Sequence, residues 1–383
     1  MNKHSATSKI RIIVTGGGTG GHLFPGIAVA TKLRKNIGNC EIMFIGTDRH
    51  IDRNSLANVD FKVRSLQCSG LKGLGTGQRL KTALQLPFAI FEAIKFINEF
   101  KPHLVIGVGG YVTGPVLLAA KLKSIPTCIH EQNSVPGLAN RISSKIVDKV
   151  FISLPIDNGF PQHKTILTGN PVREEILAVA QKKRSLQESE PLTIIILGGS
   201  QGAHRLNELV LEAAKELTIT SPKPLRFIHQ TGSKDKQWVR QAYLDLGIDA
   251  ICDDFFGDMA SIYHQADLAI CRAGATTLAE LSATGTPSIL VPYPFAADNH
   301  QEINGSYYVQ GQGAYLYKEN ELTGKLLTDQ IVSLLNNSEK LRNMADKMRS
   351  LAKLDATDEI VNHCLRLLDI PDTTQSYNQI EHV

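Results

Sequence analysis

Short apolar runs alternate with amphipathic stretches along most of the chain. The runs IRIIV, EIMFIG, HLVIGVGG, PTCIHEQ and KVFIS have the character of buried parallel strands. The intervals between them show the 3.6-residue spacing of helices, as in the stretch after Pro25. This alternation predicts a doubly wound α/β domain.

The same pattern restarts after a polar segment at residues 181–191, QKKRSLQESEP. LTIIILGGSQGAHRLNELV is again a strand, a glycine turn and a helix, and RFIHQTG, DLAICRAGATTLAEL and TPSILVPYP continue the series. We therefore predict two Rossmann-like, doubly wound domains, at residues 8–175 and 190–365, which face a shared cleft. Ligand sites are expected at the carboxyl ends of the strands.

The first glycine-rich turn, VTGGGTGGHLFPG, follows the first apolar run. Gly16, Gly18 and Gly21 satisfy the dinucleotide pattern G-x-G-x-x-G, which is a weak signal in so glycine-rich a stretch. A P-loop needs Lys and then Ser or Thr after its last glycine, but His22 and Leu23 follow here. The duplicated architecture favours the two-domain GT-B glycosyltransferase fold over a nicotinamide enzyme. The helix after the first glycine-rich turn is predicted to start near Pro25.

Charge is distributed unevenly along the 383 residues. Residues 1–180 hold 22 Lys and Arg against 11 Asp and Glu, whereas the remainder holds 19 against 26. A basic first half suggests contact with an anion, either phospholipid or a phosphorylated substrate. We expect no nucleic-acid partner, because no basic stretch is interleaved with stacking aromatic residues.

Membrane segments, signal peptides and cysteine pairs in a sequence indicate the compartment of a protein. No apolar segment reaches the length of about 18 residues needed to span a membrane, and the N-terminal residues lack the apolar core of a signal peptide. The six cysteines form no C-x-x-C pair, so buried reduced thiols are expected. We therefore expect a cytoplasmic protein.

The second domain carries the richest motif, CRAGATTLAE. Residues Arg272 to Thr277 predict a turn into a helix whose first amides and dipole suit a diphosphate. Glu280, slightly more than one turn later, can accept hydrogen bonds from a ribose diol. On spacing alone, an ordinary helix cap followed by a surface carboxylate fits equally well.

Seven ordered motifs resemble those of the bacterial MurG family: TGGGTGGHLFPG, GVGGYVTGP, HEQN, TGNPVR, GGSQGA, CRAGATTLAE and DNHQEIN. The resemblance covers residues 10–365 or so. It implies an inverting transfer of N-acetylglucosamine from UDP-N-acetylglucosamine to the C4 hydroxyl of the muramoyl sugar of undecaprenyl-diphospho-muramoyl-pentapeptide, which converts lipid I into lipid II for peptidoglycan. It also implies a peripheral enzyme on the cytoplasmic face of the plasma membrane, with wall-synthesis and division proteins as partners.

The resemblance also assigns roles to residues of both domains. In the first domain it places acceptor and diphosphate contacts at Thr19, Gly20, Gly21 and Tyr111. It implies a donor-sugar contact for Asn133 and Gln301, a phosphate contact for Ser200, a nucleotide contact for Arg173, a uracil contact through the main chain at Phe256, and a ribose contact for Glu280. The remaining substrate-binding candidates are Asn207, Arg272, Ala275, Thr276, Thr277, Leu278 and Ala279.

An inverting transfer needs a general base and a way to stabilise the departing UDP. His22 is the leading candidate for the base, because an imidazole can accept a proton near neutral pH; the alternative is a structural histidine that bonds a neighbouring loop. Glu131 in HEQN is the rival base, or a residue that orients its neighbours. No D-x-D triplet occurs, so we expect no metal site and no cofactor besides the donor substrate.

A lipid-linked acceptor requires contact with the bilayer. Residues 62–101 hold seven Lys and Arg and two Glu, and Leu80, Leu84, Leu86 and Phe88 lie among them. Such a segment suits an anionic membrane surface. We predict that residues 80–88 meet the membrane and that the helix from Ile90 onward, including Ile94 and Ile97, faces the core.

Two other functions stay open at this point. A UDP-N-acetylglucosamine 2-epimerase shares the architecture and the donor but needs no lipid acceptor. A nicotinamide oxidoreductase would account for the opening glycines alone.

Overall fold

The computed structural model describes residues 9–48, 56, 59–66, 68, 76–156, 158–181, 191–199 and 202–371, and only the backbone of residues 76–84. The chain divides into two compact units. Unit 1 comprises Met1–Pro171 together with Asp355–Val383, and unit 2 comprises Val172–Leu354.

Unit 1 is built on a seven-stranded parallel sheet in the order β3-β2-β1-β4-β5-β6-β7. The strands are β1 Ile10–Thr15, β2 Cys40–Gly46, β3 Lys62–Ser65, β4 Leu104–Gly107, β5 Thr127–Glu131, β6 Lys149–Ile152 and β7 Thr165–Leu167. The helices described in this unit are α1 Gly20–Ile37, α2 Thr76–Phe100, α3 Thr113–Leu122, α4 Leu138–Ser143 and, after unit 2, α13 Ala356–Leu367.

Alternation along β1 shows why both faces of this sheet are covered. Ile12 and Val14 enter one apolar core with α1 and α13, whereas Ile13 enters a second core with α2 and α3. Successive side chains of a strand point to opposite faces, so an uninterrupted apolar strand requires a helical layer on each side. The continuous apolar runs of the sequence therefore predicted the doubly wound fold of this unit correctly.

The last helix, α13, belongs to unit 1. Its apolar side chains Ile360, Val361, Cys364 and Leu365 are buried in the core that also holds α1. The sequence pattern placed this segment in the second domain, within residues 190–365. The structure instead ends unit 2 at Leu354 and returns the chain to the first sheet.

Unit 2 has a six-stranded parallel sheet in the order β10-β9-β8-β11-β12-β13, the Rossmann order 3-2-1-4-5-6. Its strands are β8 Leu192–Leu197, β9 Leu225–Gln230, β10 Ala250–Asp253, β11 Leu268–Cys271, β12 Ser288–Leu290 and β13 Ala314–Leu316. Its helices are α5 Glu174–Ala180, α6 His204–Thr220, α7 Lys236–Asp245, α8 Met259–Gln265, α9 Ala275–Thr284, α10 His300–Gln310, α11 Gly324–Leu335 and α12 Ser338–Ser350.

In both sheets the strand order reverses beside the first strand, between β1 and β4 and between β8 and β11. Ligands of open α/β sheets bind outside the carboxyl ends of the strands at such a point. All six cysteines are free thiols. In the described ranges, no helix is both long and apolar enough to cross a membrane.

Candidate active site

Two glycine-rich turns meet at the reversal point of unit 1. A Cβ on Gly110 would lie 2.7 Å from the carbonyl oxygen of Gly17, and one on Gly16 would lie 2.7 Å from that of Gly109. Both Gly109 and Gly110 have positive φ, at 99° and 90°. Only glycine allows the turns after β1 and β4 to approach this closely. Thr113 reinforces the contact, because its hydroxyl donates to the carbonyls of Thr15 and Gly109.

His22 lies in the first turn of α1, because the helix begins at Gly20 rather than near Pro25 as predicted. Its Nδ1 is 3.2 Å from the hydroxyl of Thr19, the N-cap residue. Its ring packs against Gly109, where an added Cβ would lie 2.8 Å from Cδ2 and 3.0 Å from Nε2. The two turns thus hold the imidazole from both sides.

With His22 as the predicted base, replacing Gly109 by alanine is expected to lower kcat about 10-fold, because the new methyl group displaces the His22 ring and positive φ strains a non-glycine residue. Steady-state kinetics at saturating donor measure the effect. The matched control is Gly114→Ala, where a Cβ meets nothing within 4 Å. Equal kcat values in the two variants would show that turnover does not depend on the position of the His22 ring.

Glu131 ends β5 and is 1% exposed. Its Oε1 accepts hydrogen bonds from the backbone and side-chain amides of Asn133, at 3.1 and 3.3 Å, and its Oε2 accepts from Gly137 and Asn140, at 2.9 and 3.0 Å. These four donors fill the positions at which a carboxylate accepts hydrogen bonds. The geometry therefore favours the orienting role over that of a base, with Asn133 as the group it orients.

His130 and Gln132 form a buried network beside Glu131. The Gln132 amide donates to the carbonyl of Val108 and to Nδ1 of His130, while Nε2 of His130 lies 3.2 Å from the carbonyl oxygen of Gly169. Burial lowers the pKa of His130 to about 4, against the opposing effect of the Gly169 carbonyl. Sequence analysis did not single out either residue, although both are in the HEQN motif.

This buried neutral histidine should make unit 1 sensitive to acid. The unfolded chain takes up a proton near pH 6.5, whereas folded His130 does so only near pH 4, so stability falls as the pH drops through this window. We expect the free energy of unfolding to fall by about 2 kcal/mol from this group between pH 7 and pH 5. Urea unfolding at both pH values measures it. His130→Gln should reduce this fall in the free energy of unfolding. His163→Gln, at an exposed position, should leave the fall unchanged, and equal falls in both variants would refute the role of His130.

The remaining candidates of unit 1 surround the same turns. Thr19 is exposed, Gly20 and Gly21 open α1, and Tyr111, 45% exposed, follows the glycines of the β4 turn. The structure thus brings Thr19, Gly20, Gly21 and His22 together with the turn that carries Tyr111. Glu131 is linked to that turn through Gln132.

In unit 2, α9 begins directly after the turn that follows β11. Its N-cap, Gly274, has no side chain to cap the helix, and the amide of Leu278 already donates to the carbonyl of Gly274. First-turn amides have no intrahelical acceptor in any α-helix, so an anion would meet the amides of Ala275 and Thr277. Thr276 lies in the same turn, and its side chain is buried, as are those of Leu278 and Ala279.

Glu280 is 5% exposed and is not the surface carboxylate of the alternative interpretation. Its Oε1 accepts hydrogen bonds from Nε and Nη2 of Arg173, at 3.1 and 3.0 Å, and its Oε2 accepts one from the hydroxyl of Tyr263, at 2.8 Å. Burial raises the pKa of Glu280, and Arg173 and Tyr263 oppose that rise. Burial acts to lower the pKa of Arg173, but Glu280, Tyr263 and Glu175 together outweigh it and the pKa rises.

Arg272 was predicted to bind substrate, but its guanidinium is buried among protein acceptors. It donates to the carbonyls of Val291 and Pro292, pairs with Glu319 and lies 5.7 Å from the ring centroid of Tyr293. The side chain therefore holds the loop after β12. A basic residue beside a glycine turn could not be assigned to this role from sequence.

Asn207, a polar candidate on α6, is 0% exposed. Its amide nitrogen donates to the carbonyl of Thr231 and to Asp235, and its amide oxygen is 3.0 Å from Nε2 of His229. These contacts favour packing within unit 2 as the role of Asn207 over a contact with substrate. The same network fixes the Thr231 turn, against which Gly202 packs.

Three further candidates of unit 2 complete the set. Phe256 is half-buried in the loop between β10 and α8. The side-chain oxygen of Gln301 accepts a hydrogen bond from the amide of Tyr293 at 2.9 Å. Ser200 lies outside the described residues.

Known proteins match both units. The Glycosyltransferase family 28 N-terminal domain matches residues 12–152, and the Glycosyltransferase family 28 C-terminal domain matches residues 193–360. The UDP-N-acetylglucosamine--N-acetylmuramyl-(pentapeptide) pyrophosphoryl-undecaprenol N-acetylglucosamine transferase of Desulfotalea psychrophila is 49% identical, over 95% of this chain and 98% of its own. The crystal structure of MurG from Acinetobacter baumannii superimposes with a TM-score of 0.73 at 31% identity, covering 92% of this chain and 98% of that one.

The chain belongs to the MurG family.

Membership of the MurG family confirms the GT-B prediction, with one parallel α/β sheet in each unit. A putative UDP-N-acetylglucosamine 2-epimerase from Listeria monocytogenes has a TM-score of 0.66 at 14% identity, over 95% of this chain and 98% of that one. Identity this low shows a shared fold alone. In the described part of this MurG family member, no group of three or more His, Cys, Asp or Glu side chains could hold a metal ion.

Proposed function

We propose that the protein transfers N-acetylglucosamine from UDP-N-acetylglucosamine to the C4 hydroxyl of the muramoyl sugar of lipid I, with inversion, and so makes lipid II for peptidoglycan. The observation that carries the proposal is the near full-length similarity to a transferase named for this donor and acceptor. The uncapped turn at Gly274 and the buried carboxylate of Glu280 support it, because they offer hydrogen bonds to a diphosphate and to a ribose diol.

Unit 1 supplies the general base in this proposal. As the acceptor oxygen attacks C1 of the donor sugar, the bond from C1 to the phosphate oxygen breaks and His22 takes the proton of the acceptor hydroxyl. In this scheme Nδ1 donates to the hydroxyl of Thr19, 3.2 Å away, and Nε2 is the nitrogen that accepts the proton. Glu131 positions Asn133 for the donor sugar.

Unit 2 binds the donor and stabilises the leaving UDP. The amides of Ala275 and Thr277 and the helix dipole of α9 face the diphosphate, with Ser200 and Arg173 adding to them. Glu280 holds the ribose, the main chain at Phe256 holds the uracil, and the amide nitrogen of Gln301 meets the sugar while its oxygen stays on Tyr293. No metal or nicotinamide takes part in this scheme.

Acceptor-dependent release of UDP tests the activity. The protein is incubated with UDP-N-acetylglucosamine and a short-chain lipid I analogue, and UDP and lipid II are quantified. We expect both to form in equal amounts and only with acceptor present. Release of UDP together with N-acetylmannosamine in the absence of acceptor would indicate an epimerase instead.

We also propose that α2 carries a membrane contact of unit 1. Leu86 is 41% exposed, Phe88 78% and Phe91 73%, while Ile97 is buried and Ile94 packs against the core. The predicted boundary at Ile90 is thus corrected, because Phe91 faces outward. Of the other residues predicted for the membrane, Leu80 and Leu84 lie where side chains are not described.

Phe88, Phe91 and Lys95 recur at spacings of three and four and therefore share one helix face. Two exposed aromatic rings beside a lysine suit the boundary between lipid head groups and acyl chains, where the ammonium group meets anionic phosphates. This contact would bring a peripheral enzyme to its lipid-linked acceptor on the cytoplasmic face of the membrane. The product would be used for cell-wall synthesis during growth and division.

The double variant Phe88→Ser/Phe91→Ser is expected to bind vesicles of phosphatidylglycerol and phosphatidylethanolamine at least 10-fold more weakly. Each phenyl ring that enters the membrane contributes about 1.5–3 kcal/mol of binding free energy. Co-sedimentation measures binding, and kcat with a water-soluble acceptor should not change. The control is Ile219→Ser, an exposed apolar residue of unit 2. Vesicle affinity equal to that of the parent protein would refute the contact.

A further inference from the structure

The hydrogen bonds around Glu280 are divided unequally between its two oxygens. Arg173 directs both Nε and Nη2 to Oε1, at 3.1 and 3.0 Å, whereas Oε2 is 2.8 Å from the hydroxyl of Tyr263. All three residues belong to unit 2. Tyr263 lies on α8 with its side chain buried, and the helix is fixed at its start because Asp258 caps the amide of Ser261.

This arrangement is not the strongest that Arg173 could adopt. A guanidinium opposite a carboxylate binds most tightly as a fork, with one N–H on each oxygen. The Tyr263 hydroxyl takes one of the two acceptor positions of Oε2 and competes there with Arg173, whose two N–H groups both go to Oε1. The ion pair therefore stays in a form that another donor can replace.

A ribose diol presents two hydroxyl donors, and a carboxylate accepts about four hydrogen bonds. Arg173 and Tyr263 already supply three, so both hydroxyls can bind only if Arg173 gives up at least one. Tyr263 need not move, because it holds the opposite oxygen.

We propose that Tyr263 is a positioning residue for donor binding, which keeps Arg173 as an exchangeable partner of Glu280 until the ribose replaces it at Oε1. This inference rests on the proposed contact between Glu280 and the ribose. In the nucleotide-free protein Arg173 neutralises the buried carboxylate of Glu280. On donor binding, the guanidinium shifts toward the anionic nucleotide.

Tyr263→Phe tests the role directly, since it removes one oxygen atom and leaves the ring in place. We expect the KM for UDP-N-acetylglucosamine to rise about 10-fold, because Arg173 can then close the fork on both oxygens, while kcat at saturating donor stays within about twofold. Titration of UDP into the whole protein should show the same loss of affinity. The matched control is Tyr308→Phe, another buried tyrosine whose hydroxyl contacts Ser282 on α9, and it should leave the donor KM unchanged.

A double-mutant cycle with Arg173→Lys identifies the cause. Lysine keeps the charge but cannot form the fork, so Tyr263→Phe should change the donor KM less than twofold in the Arg173→Lys background. An equal rise in both backgrounds would show that the hydroxyl does not act through Arg173, and would overturn the proposal. An unchanged KM in Tyr263→Phe alone would overturn it as well.

A donor lacking the ribose 2′-hydroxyl separates this inference from the contact on which it rests. If the parent enzyme uses UDP-N-acetylglucosamine and its 2′-deoxy and 3′-deoxy analogues equally well, the ribose contact of Glu280 is wrong. If the parent discriminates at least 10-fold and Tyr263→Phe discriminates equally with an unchanged KM, only the role of Tyr263 is wrong. We expect discrimination in the parent and a smaller ratio in the variant.

Discussion

Replacing His22 by alanine is expected to lower kcat by about 10²- to 10⁴-fold, with the KM for UDP-N-acetylglucosamine within about twofold of the parent value. General-base catalysis acts in the transition state, so its loss affects turnover rather than donor binding. His22 is well placed for such a role because Thr19 and the Gly109 turn fix its ring. Initial rates with a short-chain lipid I analogue at saturating donor measure kcat.

His163→Ala is the control for this experiment, since it removes an exposed histidine of the same unit from a short 3₁₀ turn. Its kcat should equal that of the parent. Full turnover in His22→Ala would remove its role as base. Glu131 would not then become the base by default, because its two oxygens are engaged with Asn133, Gly137 and Asn140.

Replacing Glu280 by alanine is expected to raise the donor KM about 100-fold and to reduce the free energy of unfolding by about 3–5 kcal/mol. The KM rises because two hydrogen bonds from the ribose to a charged acceptor are lost. Stability falls because Arg173 is left in a mostly buried position without its carboxylate. Donor kinetics and urea unfolding measure the two effects separately.

Glu175→Ala provides the comparison. Its carboxylate is 3.9 Å from Nε of the same arginine, but the side chain is 61% exposed. An exposed pair of this kind contributes about 0–1 kcal/mol, so neither the KM nor the stability should change appreciably. A donor KM in Glu280→Ala that matches the Glu175→Ala value would exclude Glu280 from the nucleotide site.

Sequence periodicity was sufficient for the layered architecture of each unit, and physical reasons account for where it failed. Continuous apolar strands such as IRIIV require cover on both faces, which predicts the doubly wound fold without any tertiary information. The start of α1 was misplaced because glycine disfavours helices, and five of the first seven residues after β1 are glycines. Contacts at Gly109 and Thr113 are what hold that turn.

The side-chain partners in the site could not be predicted, since they depend on contacts between distant positions. Glu280 follows its turn closely in sequence, but Arg173 is 107 positions away, and Tyr263 reaches it from the preceding helix. Arg272 and Asn207 have residue types that suit phosphate or sugar binding. Only the packing shows that carbonyl and carboxylate groups of the protein already engage them.

The return of α13 to the first sheet affects the order in which the polypeptide can fold during synthesis. Residues 172–354 form a continuous stretch and can complete unit 2 as soon as they leave the ribosome. Unit 1 begins first but must wait for Ile360, Val361, Cys364 and Leu365 to cover the core around α1. Until then the nascent chain exposes an apolar surface on the unit that was synthesised earliest, and exposed apolar surface of this kind favours aggregation.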